Sequence, residues 1–150
     1  MGYRINDVHA TKLMMKYAST TFVPEKDWSV ARYDSKDCLL GGIIVNAYTG
    51  IGGSCELHVC SFRSNWASKT LLYHGFHYPF VELKVRKIIG LVPESNWRAY
   101  RLDTHLGFKE EAYITDVFPF EPSGYYVLSM YKEDCKWLKM EPVQLSIVGE

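Results

Sequence analysis

Between two stretches with helical spacing lies Lys87-Ile88-Ile89-Gly90-Leu91-Val92, a run that is apolar at almost every position. It shows no polar alternation and is far shorter than a membrane span, so it reads as a strand buried on both faces, the kind found inside parallel sheets. A parallel strand needs a neighbour reached through a crossover. Residues 55–60 supply a second strand, and residues 65–80, between the two, have helical character. The crossover is therefore expected to be right-handed. This one unit commits the chain to a mixed αβ sheet with helices packed on it.

The flanking segments extend the sheet. Asn6 or Asp7 can cap a first helix running to Ala18, with Val8, Leu13, Met14, Tyr17 and Ala18 as an apolar face. Pro24 marks a break. Residues 29–33 read as a strand, Asp34-Ser35-Lys36-Asp37 as a hairpin turn and residues 38–48 as the returning strand. Its Gly41-Gly42 pair marks a bulge or a close backbone approach. Thr49-Gly50-Ile51-Gly52-Gly53 is a turn, and the helix over residues 65–80 is expected to end at Tyr78-Pro79-Phe80. Residues 96–106 form a further helix with Gly107 as its C-terminal cap. Residues 108–117 and 125–131 close the domain as an antiparallel pair. The expected order is β-α-β-β-β-α-β-α-β-β, an α+β domain over residues 1–138. Residues 139–150 lack periodicity and read as a C-terminal tail or contact arm.

The chain has 150 residues, 47% of them apolar and 15% aromatic, enough for one compact domain with a full core and too much for a disordered chain. Seventeen basic residues balance seventeen acidic ones, so no global positive field exists to hold a phosphate backbone, and nucleic acid is a poor partner. Lys84, Arg86 and Lys87 form a local basic cluster that suits a small anion. No apolar run approaches the ~20 residues of a membrane span, and the first seven residues lack the apolar centre of a signal peptide. The opening Met1-Gly2 lacks the Ser or Thr of a myristoylation signal, because Asn6 stands there. A cytoplasmic location is expected by default. Cys38, Cys55, Cys60 and Cys135 form no C-x-x-C pair, and no histidine supplies metal-ligand spacing. Reduced, mostly buried thiols and no metal are expected.

Two segments carry a family resemblance. Leu91-Val92-Pro93-Glu94-Ser95-Asn96, followed by Ala99, Arg101 and Leu106-Gly107-Phe108-Lys109-Glu110-Glu111, resembles the second acetyl-CoA motif of ribosomal-protein N-acetyltransferases. His58-Val59-Cys60-Ser61-Phe62-Arg63-Ser64-Asn65-Trp66-Ala67-Ser68, running on to Leu72, resembles the strand, loop and helix with which GNAT-superfamily enzymes cradle the coenzyme's pyrophosphate. Arg63 stands where those enzymes carry Arg or Gln, but Trp66 and Ser68 occupy the two glycine positions of the loop. The element order is also that of the GNAT superfamily, and the resemblance covers residues 29–131. More narrowly, Trp66, Tyr78-Pro79-Phe80, Asn96, Leu106-Gly107-Phe108 and the closing Met130, Glu133 and Cys135-Lys136-Trp137-Leu138 resemble small GNAT-like proteins of tailed bacteriophages, which commonly lack the spaced glycines.

The resemblance implies a central mixed sheet of six or seven strands whose parallel central pair splays to admit acetyl-CoA as cosubstrate. It implies cofactor-binding roles for Val59, Cys60, Arg63, Ser64, Asn65, Trp66, Ala67, Ser68 and Asn96. For Trp66, packing is favoured over stacking on adenine. Backbone amides near Val59 would polarise the thioester carbonyl. Glu56 and His58 stand two apart and share a strand face opposite Leu57 and Val59, so either can relay a proton from the amine. Many GNAT enzymes carry a tyrosine acid four residues before the Gly-Phe pair. Here that position is Asp103, and no acid is assigned. His74, His77 and His105 are expected on helical surfaces. The acceptor is an amine, on a small molecule or a protein, and residues 19–28 and 118–124 would shape its pocket. A second copy of the chain, or a phage or host protein, is a further candidate partner. The rival reading is a non-catalytic GNAT-fold phage protein, either a virion component or a binder of a host protein.

Overall fold

The computed structural model describes residues 2–139 and 147–149. The elements are β1 (Gly2–Ile5), α1 (Val8–Ala18), β2 (Trp28–Tyr33), β3 (Leu39–Asn46), β4 (Ser54–Ser61), α2 (Lys69–His77), β5 (Lys87–Pro93), α3 (Trp97–Leu106), β6 (Lys109–Ile114), β7 (Tyr125–Tyr131) and β8 (Ile147–Gly149). They form one sheet in the order β6-β7-β5-β4-β3-β2-β1-β8. The expected mixed αβ architecture is present. β4 and β5 run parallel in the middle, β8 runs parallel to β1 at the edge, and the other pairings are antiparallel. Residues 140–146 and 150, most of the expected tail, lie outside the described residues.

α1 starts where Asp7 accepts a hydrogen bond from the Ala10 amide, while Asn6 takes a left-handed backbone and accepts from the Ser29 amide. Its buried face differs from the expected one: Val8, Leu13 and Tyr17 are exposed, and Ala10, Thr11 and Met14 are buried. The small side chain of Ala10 lets the helix lie close to the sheet, so Met14 seats over Gly42 and packs with Ala31, Tyr33, Ile44 and Cys60. On the other face α2 buries Leu71, Leu72 and Phe76 in a larger core with Val30, Ile43, Val45, Leu57 and Ile88. The two faces of the sheet thus carry separate cores.

α2 begins four residues later than expected, because the Ser68 hydroxyl accepts from the Leu71 amide and caps the helix there. The α-helix ends at His77, beside the expected Tyr78-Pro79-Phe80, and the chain runs on as a π-helical stretch, Tyr78–Glu82, whose shifted hydrogen bonds accommodate a residue with no amide proton. His74 also departs from the expected surface position: its Nε2 is buried without a partner, and burial lowers its pKa. The last pair is shorter than expected, since β6 stops at Ile114. Cys55, Cys60 and Cys135 are buried free thiols and Cys38 is an exposed one. Among the described residues no helix is long and apolar enough to cross a membrane.

The Gly41-Gly42 pair serves both expected purposes. The β2–β3 register slips between Arg32 and Tyr33, and a Cβ on Gly41 would lie 2.4 Å from the Cys60 carbonyl oxygen and 2.8 Å from the Trp66 Cβ. Gly107 ends α3 at φ 118°, where its amide reaches the Asp103 and Thr104 carbonyls. Gly107→Ala is expected to cost about 1 kcal/mol or more, read as a melting temperature lower by roughly 2–4 °C.

Candidate active site

β4 and β5 are hydrogen-bond neighbours over only three residue pairs, Ser54↔Lys87, Cys55↔Ile88 and Glu56↔Ile89. Beyond them β4 stays with β3 up to Ser61, and β5 stays with β7 up to Pro93, so the two strands part. The gap is a cleft of about 340 Å³. Leu57, His58, Val59 and Ser61 form one wall, Leu91, Val92 and Pro93 another, and the end of α1 closes one side. α3 contributes Asn96, Ala99, Leu102 and Asp103, whose spacing of three and four puts them on one helix face, together with Arg98.

Glu56 and His58 lie on the α1 face of the sheet, with Glu56 Oε1 3.4 Å from His58 Nε2. His58 lines the cleft; Glu56 does not. His58 Nε2 also lies 3.0 Å from Asn46 Oδ1 and 3.3 Å from Thr20 Oγ1. The Asn46 amide nitrogen donates to Thr20 Oγ1 and to the Thr21 carbonyl, which turns Asn46 Oδ1 toward the histidine. An acceptor at that place requires the proton on Nε2, so neutral His58 keeps its lone pair on Nδ1. Asn46 and Thr20 were not singled out from sequence. The visible signal for Asn46 was a lone amide closing the apolar run of β3.

The segment expected to hold the pyrophosphate divides in two. Arg63, Ser64, Asn65 and Ala67 are exposed, while Trp66 is buried in the larger core and Cys60 in the smaller one. Trp66 therefore packs, and its indole is not available to a bound adenine. Arg32 organises the loop: its Nη1 donates to the carbonyls of Asn65, Trp66 and Ala67 at 2.5, 3.2 and 3.1 Å. With those carbonyls turned inward, planar trans peptides direct the following amides, Ala67 and Ser68 among them, outward. The Lys69 and Thr70 amides add the positive end of α2. Arg32 too went unselected, although a cation inside the otherwise buried Trp28–Tyr33 strand was its mark. Asn96 caps α3 by accepting from the Ala99 amide and also lines the cleft.

Asp103 is an ionisable group in the cleft wall whose state is displaced. Burial of its carboxyl pushes the pKa up to about 7. Among the described residues no group of three or more metal-ligating side chains occurs.

The comparisons with known proteins bear on the frame. No family model matches the sequence, and no curated protein matches it. Solved structures do. A chimera of spermidine N-acetyltransferase SpeG from Vibrio cholerae with hSSAT superposes with TM-score 0.69 at 15% identity, covering 92% of this chain and 99% of that one. Spermidine/spermine N-acetyltransferase SpeG from Vibrio cholerae follows with TM-score 0.67 at 15% identity, covering 86% and 91%. An acetyltransferase of the GNAT family from Bacillus anthracis gives 0.57 at 21%, covering 83% and 84%. The chain has the GNAT fold. At these identities the likeness fixes the GNAT architecture, and the chemistry must be argued from the site.

Two outcomes are expected. Trp66→Ala should destabilise the protein by about 3–5 kcal/mol, as emptied aromatic core sites do, while Arg63→Ala should change stability by less than about 0.5 kcal/mol; denaturant titration reads both. Asp103 also makes stability depend on pH. The folded carboxyl holds its proton more tightly than the unfolded one, so its contribution is complete below about pH 4 and is lost as pH rises through about 7. Melting temperatures across that range should fall with pH in the wild type, and Asp103→Asn should flatten that component.

Proposed function

We propose that this protein is an acetyl-CoA-dependent N-acetyltransferase that acts on a primary amine. The observation that carries the reading is the parting of β4 and β5 after Glu56 and Ile89, which opens a cleft between a strand bearing a histidine and a helix capped at its mouth. A thioester laid in that gap meets strand edges with no ladder partner, and amides near Val59 would polarise its carbonyl. The outward amides of the Arg32-held loop and the start of α2 suit the pyrophosphate, with Arg63 and Lys69 supplying charge. In this reading Val59, Cys60, Arg63, Ser64, Asn65, Ala67, Ser68 and Asn96 keep their cofactor-binding roles, Cys60 through its backbone alone. Trp66 drops out as a contact and becomes the packing that holds the loop down.

His58 takes the proton of the incoming ammonium on Nδ1, and Glu56 and Asn46, both beside Nε2, stabilise the imidazolium that results. Glu56 thus supports the base instead of acting as the base. The neighbours named as spermidine N-acetyltransferases make polyamines the first amines to test. Origin from a tailed bacteriophage rests on the sequence likeness alone, and a cytoplasmic setting fits a thioester chemistry that needs free coenzyme A.

Acetyl-CoA at a hundredfold its Kd should stabilise the protein by about 2.7 kcal/mol. The absence of any melting shift at millimolar acetyl-CoA would favour the non-catalytic rival. With an accepted amine, His58→Ala should lower kcat by roughly a hundredfold or more at unchanged acetyl-CoA affinity. Glu56→Gln should have a smaller effect. Wild-type turnover in both variants would remove the relay.

A further inference from the structure

In the proposed reaction the β4 wall of the cleft takes a proton from the amine, and the opposite wall has no chemical role. Acyl transfer also needs a proton delivered, because the sulfur leaves as a thiolate. Asp103 lies on the cleft face of α3 with Asn96, Ala99 and Leu102. Its Oδ2 sits over the backbone of Gly90, 3.2 Å from where a Cβ would stand. Gly90 is the first residue of β5 after the last parallel pair, Glu56↔Ile89, so the carboxyl occupies the apex of the splay.

We propose that Asp103 is the general acid that protonates the departing coenzyme A sulfur. The proposal rests on the acetyltransferase reading and deepens it. The amine nitrogen forms its bond to the thioester carbonyl carbon, and the tetrahedral adduct collapses with cleavage of the C–S bond. That electron pair goes to sulfur, and the Asp103 proton joins it to give the thiol. Two protons leave the ammonium nitrogen overall: His58 takes the first before attack and passes it to solvent, then takes the second from the adduct as the C–S bond breaks, and solvent later returns one to Asp103.

Three features support this assignment. No charged or hydrogen-bonding partner acts on the carboxyl among the described residues, and burial alone holds its pKa near 7, so a large fraction carries a proton at neutral pH. The ionisable groups that face it across the cleft are Tyr17 from α1 and His58 from β4, with Arg98 on its own helix; β5 presents Leu91, Val92 and Pro93. The other hydroxyl acids nearby are engaged or outside the cleft. Tyr17 is half exposed and bonded to Ser61 Oγ, and Tyr100 donates to Glu110.

The test is proton linkage, which needs no knowledge of the acceptor. Acetyl-CoA is titrated calorimetrically into wild type and Asp103→Asn at pH 7.5, in buffers of different ionisation enthalpy. Filling the cleft removes remaining water from the carboxyl and raises its pKa further, so wild type should take up on the order of half a proton and the variant none. Binding with no uptake, or with equal uptake in the variant, overturns the assignment of Asp103 alone. No binding by the wild-type protein overturns the acetyltransferase reading, and this acid with it. If an amine is turned over, the fall of kcat above about pH 7 should disappear in Asp103→Asn, with kcat lower by roughly a hundredfold and KM for acetyl-CoA near wild type. Should the variant not fold, carbon-13 NMR of the wild-type carboxyls decides. One aspartate should titrate near neutrality and move upward when acetyl-CoA is added, and the lack of such a signal overturns the proposal.

Discussion

The structure depends on a pairing that stops early. Two parallel strands in the centre of a sheet normally share their whole length, because every unpaired amide or carbonyl in a dry interior costs free energy. Here β4 and β5 share three residue pairs and then follow different neighbours, β3 on one side and β7 on the other. Those outer pairings are continuous and anchored by buried side chains, including Ile43, Val45, Ile88 and Leu128, so neither strand can close the gap without dragging half the sheet with it. The opening is thus a product of register in the flanking ladders. It leaves polar backbone facing a cavity, the condition under which such backbone is useful to a ligand.

The loop beside that opening reaches its conformation by unusual means. Glycines would let the chain turn its amides outward by backbone freedom alone. This chain has Trp66 and Ser68 instead, and the turn is imposed from outside. Arg32 gathers three successive carbonyls, Trp66 buries its ring, and Gly41 leaves the space that the Trp66 Cβ requires. The glycine has in effect moved from the loop to the strand beneath it. A loop held by a guanidinium and a buried indole loses less conformational freedom when a ligand arrives than one held by glycines.

That exchange explains what could and could not be read from the sequence. The apolar run ending in Val92 demanded a buried parallel strand, and the crossover, the Asn96 cap and the Gly107 turn all followed from local chemistry that reaches no further than a few residues. Contacts between distant segments were opaque. Nothing within β2 says that Arg32 will meet residues 65–67, and nothing within α1 says that Ala10 will choose the buried face over Leu13. The same holds for the site: Glu56 and His58 could be placed on one face by their spacing, whereas Asn46 and Thr20, which orient the imidazole, come from other elements. Asp103 was visible as a residue and not as an acid, since its altered ionisation comes from its tertiary surroundings.

The two walls of the cleft therefore differ in kind. His58 sits in a polar cluster with three oxygen-bearing neighbours, and the Asn46 amide oxygen among them fixes the tautomer. Asp103 sits in a setting that supplies no partner among the described residues, and burial disfavours its charge. One environment is polar and the other disfavours charge, on either side of the point where the sheet divides. In the proposed reaction, a proton taken on one wall and given on the other would let both steps of an acyl transfer proceed near neutral pH without a strong acid or base in solution. Each group is poised by its own surroundings, so the pair needs no direct contact across the gap.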